Sequence, residues 1–179
     1  MTSIIKRIIG IIIYTVLKNF SLRFLLPKKY SSFIEELRTY ALVLQGSDIR
    51  LGTLVRNGVF VAYPSNLVLG KNITIGPYSK FFNYAKVTIG NETEIGASLH
   101  IQTNDHEWSD KSSPLGKQGS YLKEVAIGDG VFIGANVTIL KGVTINDLCI
   151  VAAGSVVVND LETGFIYGGV PAKKISKIE

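Results

Sequence analysis

The residue best suited to proton transfer is His106, which follows Asp105 in the polar segment NDHEW. An imidazole accepts a proton near neutral pH, because its unperturbed pKa is about 6.5. A nearby carboxylate or backbone carbonyl would orient its ring. We predict that His106 is a general base and that Asp105 and Trp108 contact the substrate. The alternative interpretation is a surface histidine in a polar loop.

Few other side chains could do chemistry. The 179 residues include two histidines, His100 and His106, and one cysteine, Cys149. One chain has too few of these residues for catalytic zinc held by three histidines or for structural zinc held by four Cys or His ligands. We therefore predict no metal. A lone cysteine cannot form an intramolecular disulfide, which makes a reducing compartment the default. No Ser/His/Asp or Cys/His arrangement is apparent, so we expect direct group transfer.

An aliphatic or aromatic residue recurs at every sixth position over three stretches of the chain. A period of six fits neither an α-helix nor a simple strand. A short strand and a tight turn of this length can form one side of a three-sided coil, whose inward residues stack on those of the next coil. Glycine, or another residue that tolerates unusual dihedrals, would suit the corners of such a coil. The anchors are Leu69, Ile75 and Phe81; Ile89, Ile95 and Ile101; and Ile127, Ile133, Ile139, Ile145, Val151 and Val157.

The repeat is interrupted at length between Ile101 and Ile127, which are farther apart than one coil requires. This interval is polar and contains Pro114, so we predict a loop at about 102–126 that protrudes from the solenoid. His106 stands at its start. Long loops on a rigid scaffold often carry function. A smaller break lies around Asn83.

The N-terminal segment is apolar with basic flanks. Its uncharged run, residues 8–17, follows Lys6 and Arg7 and precedes Lys18. A membrane-spanning helix needs roughly 20 apolar residues, so we expect a shorter helix instead. Two interpretations stay open: an interfacial helix that gives residues 1–26 peripheral membrane contact, or a helix buried against a partner subunit or the body of the protein.

The net charge of +5 is modest, and the basic residues concentrate near the two ends of the sequence. No nucleic-acid-binding motif is present, and the basic residues are not interleaved with aromatics, so we predict no nucleic-acid partner. Attraction to the phosphate of a small ligand or to a membrane surface fits better.

Positions 66–178 resemble the hexapeptide-repeat, left-handed β-helix acyltransferases. The motifs that carry the resemblance are IGDGVFIGANVTILKGVTI at 127–145, VAAGSVVVND at 151–160 and YGGVPAKKI at 167–175, the last similar to a terminal G-x-P-A-K signature. The most similar group is the sugar O-acetyltransferases, including the galactoside, maltose, capsule, colanic-acid and O-antigen enzymes. The resemblance implies an all-β left-handed parallel β-helix, a homotrimer, and acetyl-CoA as co-substrate.

The same resemblance implies roles for individual residues. His106 matches the general base at the start of the looped segment, and Asn83 matches an asparagine that holds the acceptor sugar. Ala135, Ala153 and Lys173 match positions that contact the coenzyme, although Lys173 in a solvated tail is the plainer alternative. A tryptophan common in one repeat is Phe132 here, which is a departure from the family pattern.

We therefore predict an N-terminal helical extension (1–45), a β-helix (46–165) and a tail (166–179) with a short C-terminal helix. The expected function is acetyl-CoA-dependent O-acetylation of a sugar hydroxyl in the cytoplasm, in capsular polysaccharide, exopolysaccharide or O-antigen biosynthesis. One alternative is N-acetylation of an amino sugar or antibiotic on the same fold. An alternative of another class is a non-catalytic structural solenoid.

Overall fold

Two helices come first in the chain. The computed structural model describes residues 3–18 and 28–179, so part of the predicted membrane-contacting segment, residues 1–2 and 19–26, lies outside the described residues. Helix α1 covers Ser3–Leu17 and helix α2 covers Lys28–Leu44. Within the described ranges, neither these helices nor any other is long and apolar enough to cross a membrane.

Short strands make up most of the remaining chain. In chain order they are β1 (Asp48–Ile49), β2 (Leu54–Val55), β3 (Phe60–Val61), β4 (Leu67–Leu69), β5 (Thr74–Ile75), β6 (Lys80–Phe82), β7 (Val87–Ile89), β8 (Glu94–Ile95), β9 (His100–Gln102), β10 (Asn104–His106), β11 (Ser120–Leu122), β12 (Val125–Ile127), β13 (Phe132–Ile133), β14 (Thr138–Ile139), β15 (Thr144–Ile145), β16 (Ile150–Val151), β17 (Val156–Val157), β18 (Phe165–Gly168) and β19 (Lys173–Lys177). Single 3-10 turns cover Pro64–Asn66 and Leu115–Lys117.

The strands stack into the three sides of a parallel β-solenoid, which confirms the predicted fold class. The first face has the order β1-β4-β7-β12-β15, the second β2-β5-β8-β13-β16-β18-β19, and the third β3-β6-β9-β14-β17. We call the turns that leave these faces the first, second and third corners. The register follows the repeat, since Ile139 pairs with Ile101 on one side and with Val157 on the other.

The predicted anchors form the core of the solenoid. All twelve are buried, from Leu69 at 0% exposure to Ile127 at 3%. Full burial of one such side chain contributes about 1.5–3 kcal/mol. Because each anchor packs on the equivalent residue in the coils before and after it, the core continues along the whole prism.

The glycines directly after the anchors serve close packing between coils, and the unusual dihedrals expected at the corners occur at other positions. Positive φ occurs two residues later, as at Gly130 (63°) and Gly154 (73°). Gly96, by contrast, has an ordinary φ, but a Cβ added there would lie 2.7 Å from the backbone nitrogen of Ala135 in the next coil. A side chain at this position would therefore push two coils apart.

The C-terminal segment forms a β-hairpin, so the predicted short C-terminal helix is wrong. Strand β18 adds in parallel to β16, and the Ala152 amide donates to the Tyr167 carbonyl at 2.8 Å. Strand β19 then turns back antiparallel to β18. The last coil leaves a strand edge with unpaired backbone groups, and β19 satisfies them as a helix could not.

Candidate active site

A second hairpin interrupts the solenoid at the third corner. Strand β9 ends on the third face, and β12 resumes on the first face after an insertion in which β10 pairs antiparallel with β11, His106 opposite Ser120. Thr103 fixes the base of this insertion. It is fully buried, its hydroxyl donates to the Phe82 carbonyl at 3.1 Å, and its own carbonyl accepts from the Lys123 amide at 3.0 Å.

Between this hairpin and the following coil lies a cleft of about 200 Å³. One wall is the strand that carries His106, and the other is the third corner of the next coil. Both His106 and Asp105 line this concave surface. The lining residues are Gln102, Asn104, Asp105, His106, Leu140 and Lys141.

An ion pair joins the two walls. The Lys141 ammonium lies 2.8 Å from Asp105 Oδ2, and Asp105 Oδ1 accepts the backbone amide of His106 at 3.0 Å. The hydrogen bond from Lys141 is the main reason that the pKa of Asp105 is below its usual value. The carboxylate thus contacts the backbone of His106 while its charge is balanced by the opposite wall.

Trp108 belongs to the same cluster. Its ring packs edge-on against Tyr121, with centroids 6.0 Å apart, and the Lys141 nitrogen lies 5.8 Å from its centroid, within the range of a cation–π contact. The indole is 57% exposed. The Trp108 ring therefore presents an aromatic surface near the cleft while it contacts Lys141.

Sequence reasoning missed Lys141, although it links Asp105 to Trp108. The one available signal was a charged side chain within the apolar repeat ILKGV, two residues after the anchor Ile139. Its partner Asp105 is 36 positions earlier, and only the stacking of coils brings the two together.

Polar side chains continue from the cleft onto the third face. The Gln102 amide nitrogen donates to Asn104 Oδ1 at 2.6 Å, and its oxygen lies 3.3 Å from His100 Nε2. His100 is half-buried, with its ring 5.1 Å from that of Phe82. This row offers hydrogen-bond donors and acceptors of the kind that a hydroxyl-rich ligand requires.

Asn83 lies at the third corner, in the coil before the hairpin, and does not line the cleft. It is fully buried. Its amide nitrogen donates to the Tyr63 carbonyl at 2.7 Å, and its oxygen accepts the Tyr63 amide at 3.0 Å. The side chain thus joins two coils, and its role as an acceptor contact stays a prediction.

The predicted coenzyme residues lie elsewhere in the chain. Ala135 and Ala153 stack at the second corner, where Ala153 is exposed, and Lys173 is exposed on β19. Within one chain the third face separates this corner from His106. Lys174, in contrast, is engaged, with its nitrogen 2.8 Å from Glu162 Oε2 and 3.9 Å from the ring centroid of Phe165.

Comparison with known proteins agrees with this architecture. Residues 124–159 match the family model described as bacterial transferase hexapeptide (six repeats). The galactoside O-acetyltransferase of Escherichia coli K12 is 30% identical over 120 residues, which are 67% of this chain and 58% of that protein. The chain spans little more than half the length of the curated relatives it matches.

Solved structures superpose on nearly the whole chain. A maltose O-acetyltransferase from Clostridium difficile 630 has a TM-score of 0.75 and 26% identity over 99% of this chain and 88% of its own. A hexapeptide-repeat acetyltransferase from Vibrio cholerae, solved with acetyl coenzyme A, has a TM-score of 0.78 and 23% identity over 97% of this chain and 87% of its own. At this identity the similarity shows a common fold. Residues 124–159 thus carry the repeat of the bacterial hexapeptide transferases, within a fold that the chain shares with solved acetyltransferases of this kind.

Proposed function

We propose that this chain is an acetyl-CoA-dependent O-acetyltransferase that acts on a sugar hydroxyl, with His106 as its general base. The observation that carries the proposal is the cleft at the third corner, where His106 lies on a hairpin fixed to the next coil by the Asp105–Lys141 ion pair. The galactoside and maltose O-acetyltransferases among its relatives support acetyl transfer to a sugar. The proposed acceptors are sugar units of capsular polysaccharide, exopolysaccharide or O-antigen.

The reaction is a direct transfer between two bound substrates. The imidazole of His106 takes the proton of the sugar hydroxyl as that oxygen attacks the thioester carbonyl. The new C–O bond forms, the C–S bond breaks, and the departing CoA sulfur takes the proton from the imidazolium. General-base assistance of this kind contributes about 10²–10⁴-fold, and holding both substrates in alignment contributes much of the rest.

Residues around the cleft hold the acceptor. The exposed ring of Trp108 offers an apolar surface for the C–H face of a sugar, and Gln102 and Asn104 offer hydrogen bonds to its hydroxyls. Asp105 is part of this acceptor site, with its charge balanced by Lys141. Asn83, at the same corner in the preceding coil, is proposed as a further acceptor contact.

The coenzyme occupies the second corner of a neighbouring copy in a homotrimer. The small side chains of Ala135 and Ala153 leave room for the pantetheine arm along the backbone, and Lys173 meets a CoA phosphate as a point charge. A second copy is required in this proposal because the third face lies between His106 and the second corner of the same chain.

The general base is tested with His106→Ala. We expect kcat for release of free CoA thiol from acetyl-CoA, measured across a panel of sugars, to fall about 10²–10⁴-fold. Folding should persist because His106 is exposed on its hairpin. The matched control is Glu107→Gln, the next residue, whose carboxylate lies beside Gly119.

Three outcomes would contradict the proposal. Near-normal turnover by His106→Ala would remove the imidazole from the reaction. A panel in which amino sugars or other amines far exceed every hydroxyl acceptor would favour N-acetylation. A thiol release that no acceptor stimulates would favour a non-catalytic solenoid.

The shared site is tested by co-expressing two inactive copies, His106→Ala and Ala153→Trp. If the base and the coenzyme corner come from different subunits, mixed oligomers contain some sites with both native residues, and activity returns. If both come from one chain, the mixture stays inactive. Light scattering of the wild-type protein gives the number of copies independently.

A further inference from the structure

Helix α1 is held on the protein by one side only. A Cβ at Gly10 would lie 2.7 Å from the Ala41 carbonyl oxygen, so α1 and α2 are in close contact there. The Tyr14 hydroxyl donates to the Val59 carbonyl at 2.8 Å, and Arg38 Nε donates to the Leu17 carbonyl at 2.9 Å. These contacts fix which face of α1 is turned inward.

The opposite face of α1 is a continuous apolar surface. Seven aliphatic side chains on it are between 36% and 70% exposed. At 3.6 residues per turn they span an arc of roughly 160°. A surface this apolar on a folded chain marks an interaction site. The residues of this isoleucine arc are Ile4, Ile5, Ile8, Ile9, Ile11, Ile12 and Val16.

Cations border the isoleucine arc on both sides. On the helical wheel Lys6 falls at one border, and Arg7 and Lys18 fall at the other. Residues 3–18 contain no acidic side chain. Within residues 3–18 and 28–179, Arg7 has no ion-pair partner, and it lines a recess of about 240 Å³ together with Ile11 and Tyr63.

We propose that α1 binds the surface of an anionic lipid bilayer and lies parallel to it, with the isoleucine arc in the acyl boundary. An apolar face with basic residues along it is the pattern of interfacial helices. The bordering cations would sit at the level of the lipid phosphates, where each Lys or Arg adds attraction. This charge complementarity on both borders favours an anionic bilayer over a second copy of the chain.

The proposal also fixes which end of the molecule meets the membrane. Helix α1 contacts Val59 in the first coil, whereas β19 is the last strand of the second face. The first-coil end of the solenoid therefore faces the lipid, and the C-terminal hairpin faces away. This inference is independent of the acetyl-transfer reaction, because none of its residues belongs to the cleft.

The test is co-sedimentation of the full chain with vesicles of phosphatidylcholine alone and with vesicles containing added phosphatidylglycerol. We expect binding to the anionic vesicles, weakened by salt. The paired change Ile8→Glu and Ile12→Glu should lower this binding more than about tenfold, because two charges would enter the acyl boundary. Lys6→Gln and Arg7→Gln, which each remove one cation, should each lower the affinity for anionic vesicles about fivefold.

The matched control is Ile175→Glu, which places the same charge on a residue 63% exposed on β19, at the opposite end of the prism. It should bind vesicles as the wild type does. A milder pair, Ile8→Ser and Ile12→Ser, keeps the test valid should the glutamates unfold the helix. Acetyl transfer to a soluble acceptor should be unchanged in all of these variants.

Three results would overturn the proposal. The wild-type chain could fail to bind anionic vesicles, or the Ile8→Glu and Ile12→Glu variant could bind them as well as the wild type does. That variant could also lose oligomer mass without any loss of vesicle binding. The last result would assign the isoleucine arc to a second copy. None of them bears on His106, so the two proposals fail separately.

Discussion

The second and third corners of the solenoid are built from the same six-residue repeat but present opposite surfaces. At the second corner Gly96, Ala135 and Ala153 stack so tightly that backbone meets backbone between coils. At the third corner the equivalent positions carry Thr103 and Lys141, and a hairpin leaves the scaffold between them. The repeat therefore fixes the spacing of the coils, while each corner can still carry its own chemistry.

This difference separates two structural tasks. The second corner gives a smooth, narrow edge along several coils, which suits an extended ligand. The third corner gives a concave site with charged and aromatic side chains, which suits proton transfer and recognition of a polar group. Substitutions at the second corner should thus affect stability most, and substitutions at the third corner should affect activity most.

The largest expected effect on stability is at the second corner. Gly96→Val should lower the free energy of unfolding by about 3 kcal/mol, because its Cβ would collide with the backbone of the next coil. Gly154→Ala is the contrasting control. Its φ of 73° is unfavourable for alanine but the space around it is open, so about 1 kcal/mol is expected. Urea denaturation measures both, and equal losses would contradict the distinction.

The next effect is on activity at the third corner. Lys141→Met removes the partner of Asp105 and the cation near Trp108, so the hairpin loses its ion pair with the next coil. We expect kcat to fall about tenfold to a hundredfold, since small displacements of reacting groups are costly. Overall stability should change little. Lys141→Arg should recover most of the activity, whereas equal damage from both changes would rule out a positioning role.

The smallest expected effect is a pH response of the hairpin. The pKa of Asp105 is lowered by Lys141, so the folded hairpin favours the charged carboxylate. The stabilisation that the ionised carboxylate gives the hairpin is therefore complete above the usual aspartate range and is lost as the pH falls through the lowered pKa. Trp108 is the only tryptophan in the chain, so its fluorescence reports this change directly. Lys141→Met should move the transition to higher pH, and an unchanged midpoint would contradict the assignment.

Local pattern was sufficient to predict the solenoid but only part of its site. The period of six located the core because each anchor is repeated in every coil, and the break after Ile101 located the hairpin with His106. The ion pair between Asp105 and Lys141 could not be predicted from the sequence, because it depends on which corner of the solenoid lies next to the insertion. The C-terminal hairpin escaped for a similar reason, since the partner of β19 is an edge created by the fold itself.

The two ends of the solenoid are covered by different elements. In a stack of repeated coils, each coil could pair with one more. An uncovered terminal coil would expose backbone N–H and C=O groups to which another chain could add a strand. Helices α1 and α2 cover the start, and the antiparallel strand β19 occupies the outermost backbone edge of the second face. These caps therefore cover backbone groups to which another chain could otherwise add a strand.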